Sequence, residues 1–213
     1  MARRPLVSVL TPTWQRHGLL VKALEHVRAQ TYRPLEHVVV SDGEDDDLAR
    51  WLINTQYARD CATIDPAEYV SLRFVQLGRN WTEYLPDSFA AAPMTVAMLV
   101  ARGEYQTWLA DDERMTPDHV ESLVAALEGA GADFAYSRVE LHHLDGRREV
   151  IGTDPPREGQ ITNVLYRTDL LKRGLYPFGA GFTSDWRCIS QWQSKGALHA
   201  FVDRVTLTHR VDH

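Results

Sequence analysis

The chain has 213 residues, 44% hydrophobic and 24% charged, with a formal net charge of -6. That composition excludes a disordered or fibrous chain and suits a globular domain able to bury roughly 70% of its unfolded surface around one core. The acidic balance argues against a general duplex nucleic-acid binder, and two cysteines, Cys61 and Cys188, exclude a disulfide framework or a four-cysteine zinc site.

In chain order, Leu6 to Thr11 is a β-branched run bounded by Pro5 and Pro12 and reads as a buried strand. Gly18 to Gln30 places Leu19, Leu20, Ala23, Leu24 and Val27 on one helical face. Leu35 to Ser41 is the next strand, at the spacing of a right-handed βαβ unit. The pattern repeats with a helix around Leu48 to Arg59, a strand at Leu72 to Leu77, a helix around Met94 to Arg102 and a strand at Tyr105 to Ala110. A helix capped by Thr116, with Pro117 in its first turn, follows and ends at Gly129 or Gly131. Phe134 to His143 reads as a strand, Asp145-Gly146 as a hairpin turn, and Glu149 to Ile151 as the returning strand. After a loop at Gly152 to Gln160 come a strand at Ile161 to Tyr166, a short helix from Thr168, a helix at Asp185 to Lys195 and strands at Phe201 to Thr208. The expected organisation is one α/β domain over 1–213, with a nucleotide-binding first half (about 5–128) and a mixed second half (about 129–213). The stretch MARRPLVSVLTP reaches Pro12 too soon for a signal-peptide core, and the longest nearly apolar run, Phe89 to Ala101, is too short for a bilayer span. With two thiols expected to stay reduced, these features point to a cytoplasmic protein.

In an open α/β sheet, ligands bind beyond the carboxyl ends of the strands. Polar residues stand there: Thr11, Thr13 and Arg16 after the first strand, Asp42 after the second, and Asp111, Asp112 and Glu113 after the fourth. Neither G-x-G-x-x-G nor a P-loop occurs, so phosphate is not cradled by glycines. The acidic cluster suggests a divalent ion bridging a diphosphate; the plain alternative is a solvated turn before a helix.

Three segments, VSVLTPTWQR, LEHVVVSDGEDD and ARGEYQTWLADDERMTPDHVESLV, resemble in order the nucleotide-sugar half of family 2 inverting glycosyltransferases of the GT-A fold. That resemblance implies a Rossmann-like, mostly parallel central sheet with helices on both faces and a smaller mixed acceptor side. It implies that Thr11, Pro12 and Thr13 frame the nucleoside and that Asp42 accepts a hydrogen bond from the base, a task suited to an acceptor-only carboxylate. Arg16 would meet a phosphate or serve only as a surface helix-start residue. Asp111 would lie near the ribose or metal, and Asp112 would ligate Mn²⁺ or Mg²⁺, with Glu113 as a third acid or a plain exposed one. The sequence departs from the family pattern at Ala110, where many relatives carry Asp, and at Met94 and Thr95, where an Arg-Asn pair is frequent. Arg79 and Asn80 could supply those donors, or form a turn with Gly78.

An inverting transfer also needs a base to take the acceptor's proton. The resemblance points to Asp185 in GFTSDWRCISQW, which follows Gly179 and Gly181 and would start a helix whose dipole keeps it ionised. Trp186 would stack on the acceptor or belong to the core. None of the histidines has zinc-site spacing. His209 ends the final strand and reads either as a ligand completing the metal shell or as an ordinary strand-end residue. His213 is the last residue.

The expected activity is therefore metal-dependent, inverting sugar transfer from a nucleoside-diphosphate sugar, with UDP-sugars favoured by family frequency, to an acceptor hydroxyl. The acceptor is left open among glycans, lipids, proteins, small molecules and modified nucleobases. A large acceptor is expected to need a shallow groove or a homodimer. Two rivals are a sugar nucleotidyltransferase, against which TPTWQRHG lacks a Gly-rich basic loop, and a non-catalytic nucleotide-sugar-binding domain, favoured by Ala110.

Overall fold

The computed structural model describes residues 3–57, 70–88, 90–175 and 184–211. Cys61, Gly179, Gly181, His213 and the end of the helix expected to reach Arg59 lie outside the described residues.

Among the described residues, one nine-stranded mixed sheet organises the molecule. Strands β1 (Val7–Thr13), β2 (Leu35–Ser41), β3 (Val70–Gln76) and β4 (Tyr105–Trp108) pair in parallel, in the order β3-β2-β1-β4. Every residue of β2 is buried, as expected of a parallel strand covered on both faces. Beyond them the sheet turns mixed through β5 (Arg114–Met115), β6 (Phe134–His143), β7 (Arg148–Ile151), β8 (Leu165–Arg167) and β9 (His199–Val211). Strand β8 is antiparallel to both β4 and β6, so β6 runs in the direction of β4, and β9 is parallel to β6. The carboxyl ends of β1, β2, β4, β6 and β9 therefore lie on one side of the sheet. The parallel arrangement expected for the central sheet holds for its first half; the second is more mixed.

Helices α1 (His17–Arg28), α2 (Asp46–Leu52), α3 (Trp81–Tyr84), α4 (Ala91–Val100), α5 (His119–Gly129) and α6 (Ser184–Ser194) surround it. Ala23 and Val27 of α1 join Val120, Leu123, Val124 and Leu127 of α5 in one core cluster. A second cluster holds Met94, Ala97 and Met98 of α4 with Cys188, Ile189 and Trp192 of α6, where the Trp192 ring lies 4.8 Å from that of Tyr166.

Several boundaries differ from expectation. Thr116 does not cap α5: its backbone N–H donates to Thr206, and its hydroxyl donates to Asp118 at 2.7 Å. It thus belongs to the β5–β9 ladder, and the helix starts only at His119. At the other end Gly131, with φ +61°, closes a Schellman turn through Gly131 N–H to Glu128 O and Ala132 N–H to Leu127 O. The strand expected over Ile161 to Tyr166 shrinks to Leu165–Arg167, while Ile161 and Val164 still bury their side chains in the second cluster. The Phe201 to Thr208 strands are one longer strand, β9, whose register with β6 shifts after Ser137–Val202 and leaves Asp203 and Arg204 exposed as a bulge.

Candidate active site at the end of strands β1 and β4

The strand order reverses between β1 and β4, the place where open α/β sheets form a ligand crevice. Strand β1 pairs with β4 only from Val7 to Leu10, but with β2 as far as Thr13. Past Leu10 the two strands separate. Pro12, paired with Val40, sits where β1 has no partner on the β4 side, so its missing N–H leaves no gap in the ladder.

Across that split the Thr13 hydroxyl donates to Asp111 Oδ2 at 2.8 Å. Arg16 spans both acids after β4, with Nη1 2.9 Å from Asp111 Oδ1 and Nη2 2.7 Å from Asp112 Oδ2. The Asp111 side chain is 3% exposed and that of Asp112 13%. Burial pushes the Asp111 carboxyl up to about 6, against the opposing Thr13 hydrogen bond and the Arg16 charge. Glu113 is equally enclosed. Its Oε2 accepts the Ala110 N–H at 2.8 Å, and its Oε1 lies 3.0 Å from His209 Nδ1. A solvated acidic turn is thereby excluded: Glu113 fixes the turn by binding its first backbone N–H, and Ala110 supplies that N–H. Burial pulls the His209 ring pKa down, but the Glu113 hydrogen bond and the charges of Glu113, Asp112 and Asp185 outweigh it and leave it raised. Asp185, in the first turn of α6, thus lies within electrostatic reach of the same cluster. Asp111 to Glu113 also wall a cavity of about 90 Å³ closed by Leu19, Lys22, His142 and Arg210.

Asp42, just past β2, is buried and already engaged. Its Oδ1 accepts the Trp81 N–H at 3.0 Å, and its Oδ2 accepts the Thr82 N–H at 3.2 Å and the Thr82 hydroxyl at 2.7 Å. Asn80 Oδ1 accepts the Glu83 N–H at 3.3 Å, so two side chains hold the start of α3. Arg79 is exposed, its guanidinium 5.8 Å from the Trp81 ring and 5.3 Å from that of Tyr84. Thr11 faces inward instead, its hydroxyl 2.9 Å from Nε2 of buried His37.

Asp42 and Thr13 therefore flank the crevice, Arg16, Asp111, Asp112, Glu113 and His209 form one linked group, and Asp185 stands near it. Sequence reasoning missed α3, although Asn80 followed three residues later by Glu83 is a helix-start signature. It also missed Trp14: a Cβ on Gly43, whose φ is +143°, would sit 2.4 Å from the Trp14 ring. That close approach carries no local sequence signal beyond the Asp42-Gly43 pair.

For a divalent ion the donors are of the right kind. Mg²⁺-type ions commonly use one or two protein carboxylates, with substrate phosphates and water completing the shell. A metal-binding histidine usually has its other ring nitrogen held by a carboxylate, as Glu113 holds His209 Nδ1 here. Among the described residues no group of three or more His, Cys, Asp or Glu is placed to hold a metal ion, so the protein would contribute at most one or two ligands.

No protein-family model matches the chain. WcaA of Escherichia coli (strain K12), named as a colanic acid biosynthesis glycosyl transferase, is 30% identical over 125 residues, 59% of this chain and 39% of the relative. The crystal structure of S. aureus TarS aligns with a TM-score of 0.72 at 18% identity over 96% of this chain and 36% of TarS. Mannosyltransferase PcManGT from Pyrobaculum calidifontis, solved with GDP-Man and Mn²⁺, aligns with a TM-score of 0.69 at 18% identity over 97% of this chain and 57% of that one. The chain thus spans less than two thirds of the length of each of these relatives. Among the described residues no helix is long and apolar enough to cross a membrane. With strands β1 to β4 and the acidic turn at the β1/β4 split, the chain has the fold of these two solved structures, an α/β fold of the GT-A type.

Proposed function

We propose that the chain transfers a sugar from a nucleoside-diphosphate donor to an acceptor hydroxyl, with inversion at the anomeric carbon and with a divalent ion. The observation that carries this reading is the linked group at the β1/β4 crevice: Thr13 and Arg16 on Asp111 and Asp112, and Glu113 on His209. It is further supported by the TarS structure in complex with UDP-GlcNAc, aligned at 17% identity with a TM-score of 0.69, and by PcManGT with GDP-Man and Mn²⁺. UDP-sugars are the first donors to test.

Asp112 and His209 Nε2 would hold Mn²⁺ or Mg²⁺, which when bound would supply positive charge to offset the negative charge building on the departing diphosphate. Thr13 and Pro12 would border the nucleoside. Asp42, committed to α3, would act on the base mainly by fixing the Arg79–Trp81–Tyr84 segment beside it, with Oδ1 retaining one acceptor direction. Arg16 would bind the diphosphate. Asp185 would take the acceptor's proton; its place in the first turn of α6 favours the ionised form. Thr11 would act through the strand rather than by contact.

The test is incubation with Mn²⁺ and a panel of nucleotide sugars. Donor hydrolysis or transfer supports the reading, pyrophosphate-dependent chemistry supports a nucleotidyltransferase, and binding without turnover supports a non-catalytic domain.

A further inference from the structure

Arg16 is the most exposed member of a network whose other members are buried or partly buried. Its side chain is 42% exposed, against 3% for Asp111 and 13% for Asp112. It stands at the N-cap of α1, where its side chain makes no capping bond, and follows Gln15, whose φ is +52°. The guanidinium fork bonds one oxygen of each acid, so a unit positive charge rests on the carboxylates that a divalent ion would use. An ion on Asp112 would stand a few ångströms from that fork, and like charges at such range repel strongly in a partly buried site.

We propose that Arg16 is an internal cation that occupies the Asp111–Asp112 pair until donor and metal arrive, and then moves onto the donor's diphosphate. This rests on the nucleotide-sugar reading above and adds an order to it. Without a diphosphate, Arg16 and the metal compete for the acids. With one, Arg16 has a second anion to bind, and the two cations cooperate. The buried acids stay in place, held by Thr13 and the Glu113 turn, and the half-exposed side chain moves.

The experiment is titration of the protein with Mn²⁺ alone, and with Mn²⁺ plus UDP, followed by the electron paramagnetic resonance signal of free Mn²⁺. Arg16→Gln should bind Mn²⁺ alone at least about fivefold more tightly than the parent, as a factor of several is released when a partly exposed ion pair is removed. In the presence of UDP that gain should vanish or reverse, and UDP affinity should fall by a similar factor. Arg16→Lys, a point charge without the fork, should fall between. Arg50→Gln makes the same charge change at the exposed Arg50–Asp47 pair and should leave Mn²⁺ affinity unchanged. Equal or weaker Mn²⁺ binding by Arg16→Gln, or an equal gain in Arg50→Gln, overturns the proposal. If the parent binds no Mn²⁺ even with UDP, the metal-dependent reading fails along with it.

Discussion

Two buried histidines should make the protein labile to mild acid. His37 in β2 and His119 at the start of α5 are both almost fully enclosed, and burial pushes their ring pKa values down to about 3 and about 4. Each faces a hydroxyl: His37 Nε2 lies 2.9 Å from Thr11 Oγ1, and His119 Nδ1 lies 2.7 Å from Thr206 Oγ1. The unfolded chain takes up a proton on each ring below its ordinary pKa of 6.5, whereas the native state does not until far lower pH. Their contribution is therefore intact above pH 6.5 and is lost as pH falls toward 4. At pH 5 the loss is about 2 kcal/mol per ring, about 4 kcal/mol for both. Asp111 works in the opposite sense: with its carboxyl raised to about 6, the native state gains a proton first and recovers about 1 kcal/mol by pH 5. These three groups alone give a loss of about 3 kcal/mol, a large share of a typical domain's stability. Urea unfolding at pH 7.5 and pH 5.0 measures it. His119→Asn keeps a polar atom near the Nδ1 position and removes the titration, so the difference between the two pH values should shrink by about 2 kcal/mol. An unchanged difference in that variant would refute the assignment, whatever the variant's absolute stability.

Two further perturbations read the scaffold of the crevice. Gly43→Ala should lower stability by about 1–3 kcal/mol, from a strained backbone and a Cβ driven into the Trp14 ring, and denaturant melts with tryptophan fluorescence would register it. Asp42→Ala removes the acceptors for Trp81 N–H, Thr82 N–H and the Thr82 hydroxyl, so hydrogen exchange over residues 80–85 should rise at least about tenfold, with global stability lowered less.

Much of the fold was legible because β1, β2 and β4 are almost wholly buried and α1 and α5 carry one apolar stripe. Leu35–Ser41 and Phe134–His143 match the expected strands end to end. The acids after β4 were legible as a site from their position at a strand end. Their burial was not, because it depends on Arg16, Thr13 and His209, which stand 95 to 98 positions away in sequence from the acids they meet. Short elements were the least legible. β5 has two residues, held by β9 rather than by its own pattern, and α3 has four, held by Asp42 from another strand end. Thr116 looked like a cap because local chemistry favours it, and it lost that role to the ladder with Thr206.

The central claim is that Asp185 and the β4 acids divide the work between proton removal and donor binding. It is tested most directly by measuring donor binding and sugar transfer together in Asp185→Asn and Asp112→Ala, with Mn²⁺ and the donor found active for the parent. Asp185→Asn should bind the donor within about twofold of the parent and lose at least about 10²-fold in transfer, while Asp112→Ala should lose metal-dependent donor binding itself. Normal turnover by Asp185→Asn, or donor affinity unaffected by both Asp112→Ala and metal chelation, would contradict it.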